Sequence, residues 1–118
     1  MKLEPPELTW IEPWHPIGAN EGVELAEELQ REICCHEHLL FGRATIAVGA
    51  RRDLDDFLFY LGPAAPSFAL VHLTWARESR REWPYAELFE TAQDWMERGL
   101  KAAVLDYEQT HKRRDRTP

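Results

Sequence analysis

Between residues 45 and 75 three runs rich in strand-forming residues follow one another, and the connections between them are too short to hold a helix. In the first, Ile46, Val48 and Ala50 alternate with Thr45, Ala47 and Gly49, with Gly42 and Gly49 marking bends or bulges. The second is Phe57 to Leu61, closed by a Gly-Pro turn, and the third is Phe68 to Trp75. Parallel neighbours need a crossover of a dozen or more residues, so the spacing predicts an antiparallel meander.

Helical patterns flank these runs. In "NEGVELAEELQREICC", Leu25, Ala26, Leu29 and Ile33 form one stripe and Glu24, Glu27, Glu28, Gln30 and Arg31 the other, with Asn20 as the expected N-cap. At the far end "TAQD", residues 91 to 94, fits a capping box, followed by an apolar stripe of Trp95, Met96, Gly99, Leu100, Ala103 and Tyr107. The expected fold class is therefore α+β: a small antiparallel sheet of about three or more strands, with an N-terminal and a C-terminal helix packed on one face. Residues 76 to 90 read as a polar loop.

Residues 1 to 19 hold Pro5, Pro6, Pro13 and Pro16 with Trp10 and Trp14, which excludes a helix or a regular central strand. The tryptophans suggest an arm laid across the domain with its rings buried. A chain of 118 residues, 44% hydrophobic, suits one domain, 1–118, with one core. Its last residues, 111–118, form a basic tail expected to fray. No apolar run approaches a membrane span and the N-terminus lacks the pattern of a signal peptide, so the expected location is the cytoplasm. The adjacent Cys34 and Cys35 are poorly placed to bridge and are expected to stay reduced.

Candidates for chemistry are few. "CCHEH" puts Cys34, Cys35, His36 and His38 within five residues, but a zinc site usually wraps the ion with two separated pairs, and a second pair is missing. His72 stands on a run that is apolar on both faces, the pattern of the most buried strand, so a core histidine bonded to backbone or carboxylate is expected there. Asp53, Asp55 and Asp56 follow Arg51 and Arg52 and read as a charge-balanced hairpin turn. The alternative is a small enzyme or metal-binding domain using His72 with His36 or His38, or with Asp53, Asp55 or Asp56. Phosphate-loop, nucleophile-elbow and His-Glu-x-x-His patterns are absent, so no cofactor, metal or catalytic residue is expected.

Binding is better supported. The net charge is −7, and residues 1 to 37 carry nine acids against two bases, a field that repels nucleic acid and steers basic partners. Trp, Tyr and Arg, the residue types enriched at binding hot spots, recur in "ARESRREWPY". The expected partner is a protein with a basic surface, neither nucleic acid nor membrane, met by Glu24, Glu27, Glu28, Arg77, Arg80 and Trp83. The proline-rich arm leaves room for a homodimer by exchange between copies.

"HLTW" (72 to 75), preceded by "HLLFGR" and "DLDDFLFYL" and followed by the helix "ETAQDWMERGL", resembles a family of small uncharacterised bacterial proteins over about residues 36 to 100. The resemblance implies a structural motif and no catalytic residue. By size and acidity the chain also resembles immunity proteins, which neutralise a toxin by covering it.

Overall fold

The computed structural model describes residues 3–115, with side chains through residue 110. Five strands form one antiparallel sheet in sequential order: β1 (Trp14–Pro16), β2 (Ile46–Arg51), β3 (Asp56–Tyr60), β4 (Phe68–His72) and β5 (Ala86–Phe89). The meander is as expected from the connection lengths, and the two additional strands are short edges. β1 tolerates Pro16 because it pairs only with β2. β5 lies within the segment read as a polar loop, where "AELF" is short and its outward Glu87 dilutes the apolar signal.

β3, not the His72 strand, is central. Phe57 and Phe59 point to one face and Leu58 and Tyr60 to the other, and all four are buried. Helix α1 (Ala19–Glu32) packs Leu25 and Leu29 on the Phe57 and Phe59 face. It approaches β2 closely, since a Cβ on Gly22 would stand 2.2 Å from the Ala47 carbonyl oxygen. The N-cap is Gly18 rather than Asn20, without a side-chain bond.

The C-terminal helical stretch is α2 (Ala92–Asp94), a π-helical turn (Trp95–Leu100) and α3 (Lys101–Asp115). Thr91 caps it as the sequence pattern predicts, its hydroxyl accepting from the Asp94 N–H at 3.0 Å. Trp95, Leu100 and Ala103 join Leu58, Tyr60, Phe68 and Phe89. The two helices therefore cover opposite faces of the sheet, which corrects the one-face expectation. A sheet whose central strand is apolar on both sides must be covered on both sides.

β2 changes sides midway. A register shift between Ala47 and Gly49 puts Ile46 and Val48 on the C-terminal-helix face and both Ala47 and Ala50 on the α1 face. Trp10 of the arm lies over Gly49, where an added Cβ would be 2.3 Å from its ring. The arm thus crosses its own sheet, and Trp14 is buried edge-on against Trp95 with centroids 4.9 Å apart. Of the predicted basic tail, residues 111–115 continue α3, and residues 116–118 lie outside the described residues. Among the described residues no helix is long and apolar enough to cross a membrane.

Candidate functional site

Two loops meet at the C-terminal end of α1: residues 33–45, between α1 and β2, and residues 73–85, between β4 and β5. Two buried polar side chains and one half-buried one lock them. Glu32 lies on the apolar stripe of α1, one turn beyond Leu29, and is fully buried. Its Oε1 accepts from the Thr74 N–H at 2.8 Å and lies 3.1 Å from the Thr74 hydroxyl, while Oε2 accepts from the Trp75 N–H at 2.9 Å. The Glu32 carbonyl also accepts from the Glu78 N–H at 3.0 Å. Successive N–H groups aimed at one carboxylate make an anion nest, which here holds Trp75 at φ +61°, an uncommon left-handed conformation for a bulky residue.

The carboxylate of Glu32 is bonded to that of Glu28, one helical turn earlier, which in turn pairs with Arg31. Burial, reinforced by the contact with Glu28, pushes the Glu32 carboxyl up to about 7 against the lowering effect of its bonds from Thr74 and Trp75. The same contact holds Glu28 below its ordinary value, with Arg31 adding to the effect while burial opposes it.

His38 is the second lock. It is buried; Nδ1 accepts from the Leu40 N–H at 3.0 Å, and Nε2 lies 2.7 Å from the Pro84 carbonyl oxygen. That network assigns a neutral ring that donates from Nε2, tying one loop to the other. Gln30 is the third, donating to the Leu40 carbonyl at 2.8 Å and accepting from the Gly42 N–H at 2.9 Å. Gly42 turns the chain there at φ +64°.

The locked loops carry large apolar side chains outward: Leu39, Phe41, Trp75 and Tyr85 are each more than half exposed. Leu39 and Tyr85 border a cleft of about 400 Å³, lined also by Glu37, His38, Arg81, Glu82 and Ala86.

The residues singled out from sequence scatter across this surface. Glu24 and Glu27 are exposed on α1, Arg77 and Arg80 are exposed on the second loop, and Trp83 is half-buried beside Tyr85. Glu28 is buried, so the expectation that it meets a partner is corrected: its carboxylate faces Glu32 and Arg31. Cys34 and Cys35 are joined by a disulfide between adjacent residues, against the expectation of free thiols.

His72 is not a core residue either. It ends β4, with its side chain 47% exposed, and Nδ1 lies 2.7 Å from Oδ1 of Asp56, its cross-strand neighbour. The apolar run continues through Leu73 to Trp75, but the paired strand stops at His72, so the histidine sits at the open end of the sheet. Asp53 pairs with Arg51, whose guanidinium also reaches Asp106 of α3 at 2.7 Å, and Asp55 is exposed. The hairpin is thus charge-balanced, as expected. His36 is exposed and both nitrogens of His38 are engaged, so the histidines do not converge on His72. Among the described residues no three His, Cys, Asp or Glu side chains are grouped to hold a metal ion.

Sequence reasoning missed Glu32, Gln30, Leu39 and Tyr85. Glu32 had a legible signal, because a carboxylate in register with Leu25 and Leu29 on an amphipathic helix must find buried donors. Gln30 and the loop residues had none, since their partners are ten or more positions away. The chain matches no family model, no curated protein and no solved structure.

Proposed function

We propose that this chain is a non-enzymatic protein-binding domain of the immunity-protein kind, acting in the cytoplasm on a toxin or other partner with a basic surface. One observation carries the reading: two loops fixed by Glu32, His38 and Gln30 hold Leu39, Phe41, Trp75 and Tyr85 out into solvent. A face ordered before contact loses less conformational entropy on binding, and aromatic and arginine side chains supply most of the energy at such faces. Arg77 and Arg80 stand on the same loop. The exposed Glu24 and Glu27 of α1, in a chain of net charge −7, steer a basic partner to it.

The test is retention of a stoichiometric protein partner from native lysate by tagged wild type, a Trp75→Ala/Tyr85→Ala variant and a Glu24→Lys/Glu27→Lys variant. The aromatic variant should lose affinity by roughly tenfold or more through faster dissociation. Charge reversal should slow association, most visibly at low salt. Equal retention by the aromatic variant would sink the face, and a wild-type chain that retains no partner would sink the function.

A further inference from the structure

The binding face contains a socket whose chemistry specifies what enters it. The cleft's floor is the buried ring of His38, and both ring nitrogens are already engaged, one by Pro84 and one by Leu40. The floor therefore offers a ligand no free polar group. The walls are Leu39 and Tyr85, 65% and 59% exposed, so they present apolar surface that a partner would cover. The rest of the lining holds the charged side chains of Glu37, Glu82 and Arg81 together with Ala86. Glu37 has a neighbour in His36 at 3.6 Å, and among the described residues no lysine or arginine pairs with Glu82. Two carboxylates against one guanidinium leave the lining acidic, in a chain whose overall charge is −7.

We propose that this cleft receives an arginine or lysine side chain of the protein partner, with its aliphatic stem against Leu39 and Tyr85 and its cationic head at Glu37 and Glu82. The inference rests on the binding reading above and names the partner's contact chemistry. A long basic side chain matches both parts of the site, since its stem is apolar and its head is charged. The Tyr85 ring adds a cation–π surface. A purely apolar side chain would strip water from two carboxylates without replacing it, and an acidic one would be repelled.

The experiment is a titration of the ¹⁵N-labelled full chain with Nα-acetyl-arginine amide, Nα-acetyl-lysine amide and the neutral isostere Nα-acetyl-citrulline amide, followed by NMR. Saturable shifts are expected at the amides of Glu37, Leu39, Glu82 and Ala86, with dissociation constants on the order of millimolar. Citrulline should bind about threefold to fivefold more weakly, the size of an exposed ion pair. Glu82→Gln should weaken the arginine probe by a similar factor and leave citrulline unchanged. Equal binding of arginine and citrulline to wild type overturns the proposal, as do shifts that fail to saturate or that fall elsewhere, and neither result depends on a variant folding. If arginine fails while partner retention still needs Trp75 and Tyr85, the socket is wrong and the face stands. If arginine binds while partner retention ignores Tyr85, the cleft takes a free cation but not the partner's side chain, and both the proposal and the face are wrong.

Discussion

The α1 face and the C-terminal-helix face of the same sheet are buried by different chemistry. On the C-terminal side Trp14, Trp95, Phe68, Phe89 and Tyr60 form an aromatic cluster, with Phe89 edge-on to Trp95 at 5.3 Å. The Nε1 groups of Trp14 and Trp95 are buried and find no hydrogen-bond partner among the described residues. Large apolar area outweighs that cost, about 1–3 kcal/mol for each unmade bond. On the α1 side the core is mainly aliphatic, and its polar members, Glu32 and His38, are satisfied by groups on distant loops. One face is held mainly by apolar area, whereas the other uses buried polar contacts to fix where surface loops lie.

The largest expected effect breaks the aromatic side. Trp95→Ala should cost about 3–5 kcal/mol in urea unfolding, because the ring is fully buried and packs over Gly99, where an added Cβ would be 2.3 Å from it. A loss below about 1 kcal/mol would mean that the aromatic face is not a packed core.

On the α1 side the discriminating variable is pH. Glu32 has an ordinary value of 4.5 and is raised to about 7 in the fold, so between those limits the folded chain holds a proton that the unfolded chain releases. Stability from this group is present below pH 4.5 and is lost as pH rises through 7. Wild type should lose about 2 kcal/mol between pH 5 and 8 through Glu32, whereas Glu28, held below its ordinary value, changes its contribution only below about pH 5. Glu32→Gln should flatten the curve, read from urea midpoints at both pH values. Superimposable curves for the two proteins would remove the carboxylate pair as the cause.

The smallest effect belongs to His72. Its pairing with Asp56 is at the half-exposed end of the sheet, so His72→Ala should change stability by less than about 0.5 kcal/mol. A loss beyond about 1.5 kcal/mol would restore the core role that the apolar run around it suggests.

That contrast between Glu32 and His72 marks how much was legible in the sequence. Alternation and connection length predict the meander, and the apolar stripe of α1 and the Thr91 cap are read correctly, because each depends on neighbours within a few positions. His72 was misplaced because the apolar pattern runs on past the point where β4 stops pairing. Glu28 was misplaced because a helical wheel shows which face a residue takes but not that its carboxylate would be drawn to a buried Glu32 and to Arg31.

An α+β chain with an antiparallel meander, an acidic amphipathic helix and a tryptophan arm can be read from residue order, since these follow from local periodicity, turn residues and charge. Long-range packing settled that the helices take opposite faces and that Glu32 and His38 join two distant loops. It also decided that Leu39 and Tyr85 border one cleft. Those outcomes depend on contacts between residues about forty or more positions apart, and no local pattern encodes which buried polar group will meet which backbone donor.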